Sequence, residues 1–577
     1  MSTQAMTAGN PKVGASGRAT PRPLPHPIVL GLTSGCLLWL SFPPAEWSWS
    51  AWFALVPLFL LIPSRRSPGA IYLGSWAGGF AFWLLAIHWI WWTDRTAWLG
   101  WVVMSLFLST WWPAFLFLAR FSMGRLRLPI ILAAPILWVA LEYVRAYALT
   151  GFPWFYLAHS QYRQIYLTQI ADLSGALGLS LLIAAVNVYW VDLLTLPLFR
   201  AGAEGPWWAR LTPSQRVRLV SVAAGLLGTL GYGAYRVETS AFRPGPRLAL
   251  LQSNEVQEYN SEARKSPDAL RAIYGALVDR AVKSDPPPDL IVWPETANPY
   301  GYLAIDPGLD PGAFERLVKG INPKEVAADW KDWRDSSEIH FRRWIEAIRI
   351  PMMVGSTMHD FRPSGYSRYN AAILFQAGSA IQTYHKLHLV PFGEYVPLID
   401  VFPWLINLMP FQGTRPHFLD FGSRPSWFEL GRYRLAAAIC FEDTVPQVVR
   451  RFFAEAPEGR QPDVLVNLSN DGWFHETSEH EMHLAVSTFR CVENRVPLAR
   501  AVNTGVSAMV DGNGRIIRSL PRNTLGVLIG EVPLDDRTSL YSRLGDWLGL
   551  GCLAALIGLL ILGILAPRTA RKAAVLA

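Results

Sequence analysis

The chain has 577 residues, 51% of them hydrophobic and only 17% charged, with 26 tryptophans and a formal net charge of +8. Its length exceeds one ordinary domain, and so apolar a balance belongs to a membrane protein rather than a soluble one. The positive charge does not describe a nucleic-acid binder, because basic residues punctuate apolar blocks instead of forming a stripe.

Residues 1–24, rich in Gly, Pro, Ser and Thr with Lys12, Arg18 and Arg22, read as a disordered basic tail. The first apolar block is followed by "SFPPAEWS", which offers no small-x-small cleavage site, so it is not read as a removable signal peptide. A bilayer span takes about 20 mainly apolar residues. Candidates within 25–236 are Pro25–Phe42, Ala51–Ile62, Ala70–Trp92, Ala97–Leu118, Leu128–Tyr147, Gln169–Leu198 and Arg218–Tyr235. Another, Leu544–Ala566, lies in the C-terminal stretch 543–577.

The basic residues between these blocks predict an orientation. With the N-terminal tail cytoplasmic, the connections on that side hold Arg65 and Arg66, then Arg120, Arg125 and Arg127. They continue with Arg200, Arg210 and Arg216, and end with Arg568, Arg571 and Lys572. The opposite connections hold little beyond Arg95 and Arg163. Eight spans with both termini cytoplasmic follow, which puts residues 237–542 on the outer face.

That outer segment changes character. Short apolar runs, "RLALLQS", "DLIVWPE", "IPMMVGST", "NAAILFQ", "RLAAAIC", "DVLVNLS" and "GVSAMVD", alternate with polar helical stretches. Runs of this kind suit strands covered on both faces. "SPDALRAIYGALVDRAVKS" is the clearest helix, with a start expected at Asp268. The expectation is a layered α/β domain without internal repeats.

Reactive side chains recur at the ends of these strands, where α/β sheets gather ligands and catalytic groups. "DLIVWPE" ends on Glu295, "TYHKLHLVPFGEYVP" places Lys386 and Glu394 in a bent loop, and "RLAAAIC" ends on Cys440. A thiol attacks as thiolate, so it needs a base for its proton and a cation to stabilise charge. Glu295 can be that base. Lys386 can steady both the thiolate and a tetrahedral oxyanion, helped by a backbone N–H such as that of Phe441. Singly, each residue has an ordinary reading: a turn acid, a surface lysine, a core cysteine. Of the other cysteines, Cys36 and Cys552 lie in apolar stretches, and the spacing of Cys440 and Cys491 defines no disulfide framework.

Glu, Lys and Cys in this order resemble the nitrilase superfamily of carbon–nitrogen hydrolases. The strings "WPET", "YHKLHLVPFGEYVPL", "AAAICFED" and "LSNDGWF" are similar to those of its membrane-bound branch, the apolipoprotein N-acyltransferases, and the likeness covers nearly the whole chain. The resemblance implies a polytopic helical membrane domain joined to an αββα sandwich. It implies a monomer without cofactor or metal that transfers an acyl chain from a membrane phospholipid to the N-terminal amine of a diacylglyceryl-cysteine apolipoprotein. The transfer is ping-pong, through a Cys440 thioester, on the outer side of the inner membrane. By motif position Glu295 is the base, Lys386 the essential lysine and Cys440 the nucleophile. Glu394 is a further required acid, and Phe441 and Glu442 are the aromatic–acid pair. Glu442 beside a thiolate would raise its pKa, so it is expected to point away or to bond Lys386. Two features depart from the family pattern. Tyr259 stands where a lid tryptophan is usual, and Tyr300–Phe341 reads as an inserted surface excursion, in which Lys324 and Lys331 compete weakly for the lysine role.

Three rival readings arise from the residues. "HETSEHEMH" offers His475, His480 and His483 and suggests a metalloprotease, but His475 and His480 are five apart rather than the four that share a helix face. Glu142, Arg145, Asp172 and Asp192 suggest a transporter, yet they sit near span ends and no paired broken helices are evident. A membrane-tethered amidase would use the same triad with water in place of the amine. Finally, "VFPWLINLMPFQG" is apolar, too short to span and broken by Pro403 and Pro410. Two readings stay open for it: a loop tucked into the domain core, or an arm that lays Phe402, Trp404 and Leu408 in the membrane interface.

Overall fold

The computed structural model describes residues 25–93, 97–194, 211–255, 257, 265–399, 401–408 and 418–566. The basic tail and Tyr259 lie outside the described residues. Five helices among those described are long and apolar enough to cross a membrane: Pro68–Ala86, Ala97–Leu126, Ala176–Leu194, Pro213–Glu238 and Trp547–Leu565. Ala97–Leu126 consists of two helices meeting at Thr110.

The remaining apolar stretches are shorter than their sequence suggests. Pro27–Leu40 has 14 residues and Ile130–Arg145 has 16. The first packs closely against Pro68–Ala86 because glycines face each other: a Cβ on Gly31 would lie 1.8 Å from the Gly74 carbonyl oxygen, and one on Gly78 would lie 2.2 Å from that of Gly31. Ala51–Ile62 is not a continuous helix. It runs through a 3-10 turn, Ser48–Trp52, and a single helical turn, Val56–Phe59. Asn187 takes over its backbone, accepting the Leu55 N–H at 2.8 Å and donating to the Ala51 carbonyl at 2.9 Å.

The domain that follows Glu238 is built on two facing sheets, with a small two-stranded sheet beside them. The seven-stranded sheet runs in the order Gly526–Glu531, Arg247–Gln252, Leu290–Val292, Met352–Arg362, Gly365–Phe375 and Gln382–His385, with Tyr302–Ile305 beside Met352–Arg362. The six-stranded sheet runs Ile516–Leu520, Ser507–Val510, Leu498–Val502, Val464–Ser469, Tyr433–Ile439 and Trp427–Leu430. At the centre of each sheet the pairing is parallel, as expected of fully apolar strands covered on both faces.

Alternation along a strand separates the two cores. Leu248 and Leu250 face the inter-sheet core with Leu435, Ala437 and Val466, whereas Ala249 and Leu251 face Tyr274 and Val278 of the helix Pro267–Val282. Ser266, not Asp268, caps that helix, its side chain accepting the Ala269 N–H. The helix Ala327–Ile348 sends Phe341 and Ile345 into the same outer core. The end of the supposed excursion is therefore part of the helical layer, and only its earlier part builds a separate cluster, with Leu303, Phe314, Val318 and Trp330. Lys324 and Lys331 are exposed, Lys331 lying over the Phe314 ring.

The helix Glu479–Asn494 is buried along its length. One face, with Leu484 and Cys491, joins the inter-sheet core, and the other, with Met482, Val486 and Phe489, packs on the apolar helical region. Arg495 and Arg236 both pair with Asp172, and Glu493 accepts the Ala176 N–H at 3.0 Å. Asp172 thus fastens the two regions together. Glu142, Arg145 and Asp192 also have structural partners: Glu142 accepts from Trp138 Nε1 and Leu157 N, Arg145 donates to the Phe152 and Trp154 carbonyls, and Asp192 pairs with Arg218.

Candidate active site

The strand Tyr433–Ile439 is buried almost throughout, and the backbone turns sharply at its end. Cys440 has φ of 51°, a left-handed conformation unusual for a side-chain-bearing residue, and begins the 3-10 turn Cys440–Thr444. The chain thus leaves the sheet at the sulfur, which stays half-buried at the edge. Asn467 Nδ2 donates to the Cys440 carbonyl at 3.2 Å and holds the turn.

Glu295 arrives from the parallel strand Leu290–Val292, just before Thr296 at φ 49°. Its approach requires Gly355, where a Cβ would lie 2.1 Å from the Pro294 carbonyl oxygen and 2.6 Å from Glu295 Cα. Lys386 follows the edge strand Gln382–His385. Its ammonium, 1% exposed, donates to Glu295 Oε1 at 3.2 Å and to Glu394 Oε1 at 2.9 Å. Asn370 bridges the same two oxygens, at 2.7 and 3.0 Å, and Asn470 N donates to Glu295 Oε2 at 3.0 Å. Glu394 is fixed by the Val390 N–H at 2.7 Å.

The electrostatics follow from burial and these partners. Burial works to lower the Lys386 pKa, but Glu295 and Glu394 outweigh it, so the ammonium is held charged above its ordinary value. Burial first and Glu295 second push the Cys440 thiol well above its ordinary value, against the pull of Lys386. The resting sulfur is therefore a thiol, with a carboxylate and an ammonium within electrostatic reach.

Glu442 is engaged by four donors. Its carboxylate accepts from Ile439 N at 2.7 Å, Leu387 N at 2.6 Å, His388 N at 3.0 Å and the Tyr384 hydroxyl at 2.8 Å. Burial raises its pKa to about 7 despite these donors. These donors, rather than Lys386, hold the carboxylate. Phe441 stacks on His388 with ring centroids 5.7 Å apart.

Sequence reasoning did not single out Asn370, Tyr384, Asn470, Asn467 or Ser469, whose hydroxyl donates to Asp471 Oδ1 at 2.6 Å. Asn370 and Tyr384 lie in strands, where nothing local marks them. Asn470 and Ser469 do carry a signal, a polar "SND" ending an apolar run. Next to the site, Leu398, Val401, Phe402 and Trp404 are 59, 65, 44 and 59% exposed. The side chains of residues 406–408 and all of 409–417 lie outside the described residues.

Facing sheets with an acid, a lysine and a cysteine converging on one edge define a carbon–nitrogen hydrolase, here carried on a bundle of membrane-type helices. The carbon-nitrogen hydrolase family profile matches residues 248–541, and the apolipoprotein N-acyltransferase N-terminal domain profile matches residues 34–189. An apolipoprotein N-acyltransferase of Geobacter metallireducens is 32% identical over 91% of this chain and 93% of its own. Those of Rhodopirellula baltica and Chlorobaculum tepidum are each 29% identical, over 91 and 94% of this chain and 95 and 97% of theirs. The chain belongs to the apolipoprotein N-acyltransferase family and is a membrane-associated N-acyltransferase.

Proposed function

We propose that this protein N-acylates lipoproteins by two acyl transfers through Cys440. The observation that carries this reading is the bond from buried Lys386 to both Glu295 and Glu394 beside a strand-end thiol. In the first half-reaction Glu295 takes the Cys440 proton as the sulfur attacks the ester carbonyl of a membrane phospholipid. A C–S bond forms, the bond between the acyl carbon and the glycerol oxygen breaks, and Glu295 returns the proton to the leaving alkoxide, releasing lysophospholipid. Lys386 stabilises the thiolate and then the tetrahedral oxyanion. In the second, the α-amine of a diacylglyceryl-cysteine attacks the thioester. The amide C–N bond forms, C–S breaks, and Glu295 moves the amine proton to sulfur.

A thiol whose pKa is raised at rest suits this scheme, since its proton is given up only as the base accepts it. Glu394 and Asn370 position Lys386 and Glu295, while Glu442 and the Phe441–His388 stack hold the lysine loop against the nucleophile turn. The membrane part comprises residues 25–236 and 543–577, with residues 237–542 outside the inner membrane and both termini in the cytoplasm. The monomer is the working unit, since every proposed reacting group comes from one chain.

The test supplies the purified protein with vesicles of radiolabelled phospholipid and a synthetic diacylglyceryl-cysteine peptide. The proposal expects label in an amide on the peptide, and label appearing only as free fatty acid would support the hydrolytic, amidase-like reading instead.

A further inference from the structure

Behind the Cys440 turn lies a buried cluster that the proposed reaction does not use. Asp471 follows the strand Val464–Ser469, and the helix Glu479–Asn494 contributes Glu479, His480 and His483. Their exposures are 0, 2, 0 and 1%, respectively.

Each imidazole commits one nitrogen outside the cluster. His480 Nε2 pairs with the His475 carbonyl, and His483 Nε2 lies 2.8 Å from Asp443 Oδ1. Only a protonated nitrogen can donate to those oxygens, so in neutral rings both Nδ1 atoms keep a lone pair. Both Nδ1 atoms face carboxylates. His483 Nδ1 is 3.4 Å from Asp471 Oδ1 and 3.4 Å from Glu479 Oε1. His480 Nδ1 is 3.9 Å from Asp471 Oδ2 and 3.7 Å from Glu479 Oε2. Neither Nδ1 nor Glu479 Oε2 has a hydrogen-bond partner among the described residues.

These separations are too long for N–H···O bonds, which run about 2.7–3.2 Å. The shorter ones match the edge of a tetrahedron around an ion bound at about 2.0–2.1 Å, an edge of about 3.3–3.4 Å. One ligand atom each from Asp471, Glu479 and His483 already lie within 4.8 Å of one another. The charges agree. Asp443, Asp471 and Glu479 bring three carboxylates, and Arg500, 2.9 Å from both aspartates, answers one of them. A single dication answers the other two and leaves both imidazoles neutral, the form in which they ligate. Two imidazolium ions would also balance the charge, but their N–H groups would draw the carboxylates to hydrogen-bond distance.

We propose that Asp471, Glu479, His480 and His483 form a structural site for a first-row divalent cation, zinc(II) best suiting two imidazoles and two carboxylates. The His475 carbonyl and Asp443 orient the ligating rings from outside, as partners of metal-bound histidines do. The spacing of His475 and His480, weighed alone, does not reveal this set. The ligands instead combine Glu479 and His483, one helical turn apart, with His480 and a distant aspartate. The ion ties the turn beside the nucleophile to the helix that packs on the membrane region.

The test uses the full-length protein, made with a histidine-free tag and purified in detergent without chelator, then dialysed and analysed by mass spectrometry for metals. About one zinc per chain is expected, falling to background in folded Glu479→Gln and His480→Gln variants. Cobalt(II) supplied to chelator-stripped wild type should give the visible absorption of a tetrahedral site, a readout that needs no variant to fold. The proposal is overturned if wild type retains no metal and stripped wild type shows neither that absorption nor a rise in Tm with zinc. It is equally overturned if both folded variants keep metal undiminished.

Discussion

The Glu442 carboxylate accepts the Leu387 N–H at 2.6 Å, so the acid two places after Cys440 holds the residue next to Lys386. The same carboxylate accepts the Ile439 N–H at 2.7 Å. One buried group therefore sets the distance between the turn carrying the thiol and the loop carrying the ammonium, which come from different sheets.

That role carries a pH dependence. The folded pKa of Glu442, about 7, lies above the ordinary glutamate value of 4.5, so the native state keeps a proton that the unfolded chain has lost. Its contribution to stability is full below about 4.5 and is lost as pH rises to about 7, a change of roughly 3 kcal/mol. Glu493 titrates in the same window, so the informative quantity is a difference. Thermal unfolding should show wild type losing stability relative to Glu442→Gln as pH rises from 4.5 to 8; parallel curves would contradict this.

Lys386→Ala and Glu295→Gln should each abolish acyl-enzyme formation rather than only its discharge, because both act on the thiol step. Loss of an oxyanion donor alone costs about 10²–10³ in rate, and Lys386→Ala also leaves Glu295 and Glu394 without their shared cation. Rapid-quench measurement of bound acyl groups distinguishes the steps. Normal accumulation with blocked transfer would move these residues to the second half-reaction.

The exposed Phe402 and Trp404 should matter for lipid and not for chemistry. Replacing both with Asp is expected to reduce acylation from bilayer phospholipid by at least about tenfold, since charged groups are costly among acyl chains. Acylation by a short water-soluble thioester should persist. Equal loss with both donors would place the segment in the core of the domain.

The charge asymmetry predicts sidedness. A cysteine placed at Asp535 in intact cells should react with an impermeant thiol reagent, and one placed at Ser64 should not. Equal labelling would break the proposed orientation.

The strands were readable because strands buried on both faces leave short, wholly apolar runs, and the candidate residues Glu295 and Cys440 stood out because each ends such a run. Asn370 and Tyr384 were not, since their relevance depends on pairing between Gly365–Phe375 and Gln382–His385 and on contacts across the sandwich. Ala51–Ile62 was read as a span because composition cannot reveal that Asn187, more than a hundred residues away, replaces its helical hydrogen bonds. The helix at Phe341 reads as surface in the sequence because its charged face dominates, while Phe341, Trp344, Ile345 and Ile348 carry the packing.

The covalent intermediate on Cys440 can be trapped directly. Purified wild-type protein incubated with phospholipid alone, then digested and analysed by mass spectrometry, should carry one acyl group on the Cys440 peptide that hydroxylamine removes, and Cys440→Ser should carry none. An acyl group that persists in Cys440→Ser, or that maps to Cys491, would contradict the account.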